Sequence, residues 1–218
     1  MENKHHGPHP GILAIIFMLL FCTGLSFVIS LSGTLPYFPG PWETQGVLEA
    51  YFQHYPHDVL RCAFFQFASA VPLALFAAAT SSRLRFLGNR STGPFIALAG
   101  GLLTAVNVII SSLLLWTVAY PGVADSGPVL RMLYYADFAV GGVGYSVPLG
   151  LLIAGIAVSS GFMKIMPRWL VIAGVVIAAI GESSCLSLVF PKLLPLIPLT
   201  RFPGFIWLIL AGFKLPRG

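Results

Sequence analysis

Charge is what this sequence has least of. Only 9% of its 218 residues are Asp, Glu, Lys or Arg, against about a quarter in soluble domains, while 57% are hydrophobic and the mean hydropathy is +0.88. That balance excludes an ordinary soluble domain and reads as a polytopic membrane protein. Cysteine is equally sparse. Cys22, Cys62 and Cys185 lie inside apolar stretches without C-x-x-C spacing, so a disulfide framework and a thiolate metal site are both excluded and the three read as packing residues. No histidine falls within an apolar span to activate a serine, and Gly144-Tyr145-Ser146 lacks the second glycine of a nucleophile elbow, which excludes serine hydrolysis. The net charge of +5 comes from 12 basic residues spread over short loops, a topology signal rather than a nucleic-acid surface.

What is present is a series of six long apolar runs, about 11–32, 58–80, 94–119, 132–160, 169–190 and 199–215. At ~1.5 Å per residue each is long enough to approach or cross a hydrocarbon layer of ~30 Å. The expected fold is all-α, an integral membrane bundle of six transmembrane helices. Residues 1–10 form a disordered amino-terminal tail and 11–218 a single transmembrane domain. The first run is too long for a cleaved signal peptide and reads as a retained helix. His5, His6 and His9 in the tail read as incidental.

The connection from Gly33 to His57 is the longest, with three prolines before Trp42 and an amphipathic stretch from Glu43 to His54 bearing Val47, Leu48, Tyr51 and Phe52. Its aromatics suit a lid lying in the membrane interface. The third run carries Gly100, Thr104, Asn107 and Ser111 on one side, a polar, close-packing face. In the fourth, taken as one central helix, Asp137, Gly141, Gly144 and Pro148 share a face. Gly142, Ser146, Gly150 and Ala154 make a small-residue ridge on the other.

Orientation follows from the basic residues. With the amino terminus in the cytoplasm, Lys4, Arg83, Arg85, Arg90, Lys164, Arg168, Lys214 and Arg217 fall inside, while Arg131, Lys192 and Arg201 fall outside with Arg61 just within the outer boundary. Both termini are therefore expected in the cytoplasm, in a bacterial-type inner membrane. Counting ~1.5 Å per residue from the outer ends puts Arg61 ~4 Å deep, Asp137 ~9 Å, and Gln66 and Glu182 ~12 Å, with Arg201 at the outer rim. Charge in hydrocarbon costs at least ~2.5 kcal/mol per residue on the lenient insertion scale, so such groups pair or line a cavity.

Two readings of this convergence stay open. In one, Asp137 and Glu182 are acceptors, Arg61 and Arg201 donors, and Tyr134, Tyr135 and Gln66 orienting groups of an outer-half pocket for a small ligand, lipid or ion. In the other, Arg61 pairs with Asp137 or Asp58, and Arg201 with Glu182, to pin helices together. Glu49, His54, His57 and Asp58 at the outer boundary have the donor types for zinc or copper, although Pro56 interrupts the run. Gly141-Gly142-Val143-Gly144 superficially suggests a nucleotide loop, but it lies inside an apolar span rather than between strand and helix; no cofactor is expected. Asn89-Arg90-Ser91 is a glycosylation sequon on the cytoplasmic side.

From the small-residue fourth run through Ser160-Gly161-Phe162, Pro167-Arg168-Trp169-Leu170 and the glycine-rich fifth run, the chain resembles uncharacterised bacterial membrane proteins of the domain-of-unknown-function type, over about 131–215. The resemblance implies a six- or seven-helix inner-membrane bundle and carries over no activity or site residue. The resulting expectation is a binding protein of the inner membrane, acting as sensor, carrier or accessory subunit. The alternatives are a membrane enzyme acting on a lipid or quinone-like molecule with Asp137 or Glu182 as base, and a structural subunit whose small-residue ridges meet a partner or a second copy.

Overall fold

The computed structural model describes residues 7–29, 38–120 and 122–216, and these fold into an all-α bundle. Eight α-helices follow in order: α1 (Pro10–Ser26), α2 (Gln45–His54), α3 (Pro56–Phe86), α4 (Gly93–Val118), α5 (Gly127–Gly141), α6 (Val143–Phe162), α7 (Arg168–Ser183) and α8 (Leu196–Lys214). Short 3-10 turns at Ser184–Leu188 and Pro191–Leu193 join α7 to α8. Proline opens several of these helices, at Pro10, Pro56, Pro94 and Pro128, where a missing N–H costs nothing because the first turn has no acceptor for it. His9 is not part of a loose tail. Its Nδ1 accepts the Gly11 N–H at 3.1 Å, capping α1, and its ring packs 4.9 Å from that of Phe213.

Several expected boundaries move. The first run ends as helix at Ser26, and residues 30–32 lie outside the described residues. The second continues through Arg83 and Arg85 to Phe86, the fifth leaves α-geometry after Ser183, and the sixth begins at Leu196, which puts Arg201 within α8 rather than at its mouth.

The largest correction concerns the run expected as one helix over 132–160. It breaks at Gly142, whose φ of −89° and ψ of −92° are not helical, so α5 and α6 are separate helices joined end to end. Two adjacent glycines weaken a helix by ~1 kcal/mol each relative to alanine, and Pro148 in the first turns of α6 removes a further donor. The predicted ridge of Gly142, Ser146, Gly150 and Ala154 therefore does not run along one continuous cylinder. Gly142 instead sits against the Phe138 carbonyl and Ile197, whereas Gly150 packs on α7.

The packing forms a ring. In order around it α1 touches α3, α3 touches α4, α4 touches α6, α6 touches α7, α7 touches α8, and α8 returns to α1; α6 also reaches α3 and α8 across the interior. It is the central helix, with Leu149, Leu152, Ile153, Ile156 and Ala157 all fully buried. Small residues let its neighbours approach to backbone contact. A Cβ added at Gly155 would fall 2.5 Å from the Ala97 nitrogen, and one at Gly181 would fall 3.0 Å from the Ser146 carbonyl oxygen. The small-residue faces of α4 and α6 are thus used within the chain, against each other.

The perimeter is apolar. Phe64, Phe67, Val71 and Leu75 on α3, Leu102, Leu103, Val106, Ile110 and Leu113 on α4, and Ile172, Val175 and Val176 on α7 are large hydrophobic residues left exposed by the bundle. Among the described residues, five stretches, Pro56–Phe86, Gly93–Val118, Gly127–Phe162, Arg168–Leu188 and Pro191–Lys214, are long and apolar enough to cross a membrane, and α1 is a shorter apolar helix. With hydrocarbon as solvent, the exposed side chains are satisfied and the helices keep their own backbone hydrogen bonds. The chain is a polytopic, helical membrane protein.

Candidate functional site

At the end of the bundle that carries α2, a cavity of about 230 Å³ lies among α1, α3, α4, α5, α6 and α8. Most of its wall is apolar, from Phe21, Leu25, Val108, Leu115, Phe138 and Ile197, and its polar groups are Gln66, Ser111, Asp137, Tyr145 and Arg201. The polar members arrive from five helices, so no local stretch of sequence contains the site.

The helix break supplies its geometry. Where α5 ends, the Gly141 carbonyl is released from the helical ladder and accepts a hydrogen bond from Arg201 Nη2 on α8. The Arg201 guanidinium lies 4.6 Å from the centre of the Tyr145 ring and 5.3 Å from that of Phe21, so two aromatic faces replace water around the charge. One turn before the break, Asp137 accepts a hydrogen bond from Ser111 Oγ at 2.6 Å. Asp137 and Arg201 face the same cavity, and neither is in an ion pair among the described residues. Arg201 Nε and the Tyr145 hydroxyl are buried and have no hydrogen-bond partner among the described residues.

A second released carbonyl explains the polar face of α4. Pro148 cannot donate to Gly144, four residues earlier, and the Asn107 side-chain amide from α4 donates to the Gly144 carbonyl instead. Asn107 and Ser111 therefore brace the two sides of the break, one through a backbone oxygen and one through Asp137. Thr104, in the same stripe, turns back to the Gly100 carbonyl of its own helix at 2.7 Å.

The lid packs over this end. In α2, Leu48, Tyr51 and Phe52 are buried while Val47 faces out. Phe38, which lines the cavity, makes edge contacts with Tyr51, Phe52 and Tyr134 at 5.4, 6.5 and 5.9 Å. Burial pushes the Tyr51 phenol above its ordinary value, so it stays neutral. Three long-range hydrogen bonds fasten this region: Tyr134 Oη to the Pro39 carbonyl at 2.6 Å, Arg131 Nη2 to the Glu43 carbonyl at 2.6 Å, and Gln53 Nε2 to Asp125 Oδ1 at 2.9 Å.

Of the side chains expected at the site, Asp137, Gln66 and Arg201 meet at the cavity. Gln66 also donates to Cys62 Sγ at 3.4 Å. Arg61 instead pairs with Asp58 at 3.2 Å, three residues back on the same helix, and lies over Phe27 on the exposed side. Tyr134 ties the lid, and Tyr135, its neighbour, points outward. Glu182 lies on the α6–α7 seam beside Gly150 rather than at the cavity. Arg201 turns to Gly141 rather than to Glu182, because the break offers an oxygen within reach of α8. Of the outer-boundary donors, Glu49 accepts from Gln45, Asp58 pairs with Arg61 and His54 packs on Tyr55; no cluster of three or more such groups forms among the described residues. His57 joins none of these contacts.

Ser111, Gly141 and Tyr145 line the cavity and are not among the residues expected at the site. Ser111 was visible as the last member of the α4 stripe, one helical face with Asn107. Nothing in the sequence signals Tyr145, which enters because the break turns the start of α6 toward α1 and α8. Comparison with protein-family models, with curated proteins and with solved structures returns no match for this chain.

Proposed function

We propose that the protein binds a small amphipathic ligand in the cavity at its lid end, in the outer half of a bacterial inner membrane. The reading places α1 as the sixth crossing and both termini in the cytoplasm, following the excess of Lys and Arg at the opposite end. The observation that supports it is polar chemistry in an otherwise apolar cavity: Asp137 and Arg201 both line it, and neither is in an ion pair among the described residues. A carboxylate and a guanidinium set in an apolar wall are costly without partners, and a ligand carrying both a donor and an acceptor would supply them. The volume, about 230 Å³, suits a single ring or the end of a chain rather than a drug-sized molecule, for which pockets of ~300–1,000 Å³ are usual. The role that fits is carrier, sensor or accessory subunit.

A second reading has its own observation. The Arg201–Gly141 and Ser111–Asp137 bonds both brace the helix break, as a purely structural clamp would. The two are separated by extracting small molecules that co-purify with the protein and weighing them by mass spectrometry. Val108→Phe occupies the cavity and touches neither bond. Under the binding reading, wild type carries a stoichiometric species that Val108→Phe and Arg201→Gln both lose while still folding. If no such species accompanies wild type, and Arg201→Gln alone fails to fold, the clamp is the whole role.

A further inference from the structure

At the opposite end of the bundle, the turn between α6 and α7 opens a groove of about 730 Å³ lined by Val158, Phe162, Lys164, Arg168, Val171 and Val175. We propose that this groove holds one anionic phospholipid, its phosphate between Lys164 and Arg168 and an acyl chain along Val158, Phe162, Val171 and Val175.

The first support is charge complementarity. No Asp or Glu occurs between Val59 and Ala124 or between Phe138 and Gly181, the stretches that supply the α3–α4 and α6–α7 turns at this end, whereas Arg83, Arg85, Arg90, Lys164 and Arg168 all do. Lys164 and Arg168 are exposed and in no ion pair among the described residues. An anionic headgroup is the partner that a membrane offers to such a site. The second support is shape. Arg85, another cation at this end, lies over the Phe95 ring at 4.9 Å. Beside Lys164 and Arg168 the wall continues from the charges into an apolar channel along two helices, ending at residues that the bundle leaves exposed: Phe162, Val158 and Val175.

The turn itself fits the assignment. Lys164 has φ of +56°, the conformation that glycine fills without steric cost, and closes α6 with its N–H on the Gly161 carbonyl while Ile165 bonds to Ser160. Glycine would serve this helix end better, so the lysine side chain is what the position gains. This site shares no residue with the lid-end cavity, and its test is independent of that reading.

The experiment is native mass spectrometry of the full chain in non-ionic detergent, titrated with phosphatidylglycerol or with phosphatidylcholine of the same chains. Wild type is expected to hold one phosphatidylglycerol at least tenfold more tightly than phosphatidylcholine. Lys164→Gly with Arg168→Gln should weaken phosphatidylglycerol about 30-fold, five- to six-fold for each cation, with no loss of thermal stability because glycine suits the turn. Val175→Trp, which fills the groove and changes no charge, should weaken both lipids. Equal affinity for the two lipids, retention by the double variant, or unaltered binding by Val175→Trp would each overturn the proposal. Glycerol phosphate competing as effectively as the whole lipid would also overturn it, since the acyl channel would then contribute nothing.

Discussion

Replacing Asn107 with leucine removes the donor that serves the Gly144 carbonyl, and the size of the loss should depend on Pro148. In wild type, Pro148 offers Gly144 no N–H, so the Asn107 amide fills the gap from α4. Asn107→Leu leaves a carbonyl at membrane depth without its donor, a cost of ~1–3 kcal/mol for a buried group. Interhelical hydrogen bonds in membranes average nearer ~0.6 kcal/mol and reach ~1.7, so the expected loss is about 1–1.5 kcal/mol. Pro148→Ala restores the N–H, and the helix then satisfies Gly144 by itself. In that background Asn107→Leu should cost little, giving a coupling of about 1 kcal/mol in a double-mutant cycle. The assay is reversible unfolding in mixed micelles, followed by tryptophan fluorescence, for the four proteins of the cycle. Additivity within ~0.3–0.5 kcal/mol would refute the reasoning, because Asn107 would then stabilise α4–α6 packing without regard to the missing proline donor.

Two further outcomes are expected. Gly155→Ala drives a Cβ to 2.5 Å from the Ala97 nitrogen and 2.8 Å from its Cα, where backbone cannot yield, and should destabilise the bundle by about 1–3 kcal/mol in the same unfolding assay. Gly46→Ala, on α2 with open space around its Cβ, should instead be neutral or stabilise by up to ~1 kcal/mol, and a comparable loss at both positions would mean that backbone proximity is not what the glycines supply. Cysteines placed at the exposed Ser126 and Ser91 report orientation: an impermeant thiol reagent should label Ser126→Cys in intact cells and not Ser91→Cys, and the reverse pattern would invert the topology.

Some residues of the cavity were legible because their chemistry conflicts with their surroundings. Asp137 and Arg201 stand out as charges inside apolar runs, and counting residues along separate helices was enough to bring them to the same end. The pairing of Arg61 with Asp58 was legible as one of two choices from their spacing of three, since i and i+3 share a helix face. Glu182 misled because depth was counted and direction was not. At the right level it still faces the α6–α7 seam, and rotation about α7 is set by which residues pack against α6. Tyr134 and Tyr135, adjacent in sequence, show the same limit: one is buried beneath the lid and the other faces away.

By itself, the sequence determined the solvent and the class of fold. Scarce charge, long apolar runs and basic loops leave a chain that can satisfy its backbone only as helices in a bilayer, and composition suffices for that argument. The α4 stripe and the amphipathic lid were equally available, because helical periodicity is a local property. Only the tertiary structure decided where the fourth run breaks. A Gly-Gly pair in an apolar run serves close packing and helix interruption alike, and the outcome depends on whether partners exist for the carbonyls that a break releases. Here α8 brings Arg201 to Gly141, and α4 brings Asn107 to Gly144. Those contacts span 60 and 37 residues of chain, and no local pattern encodes them.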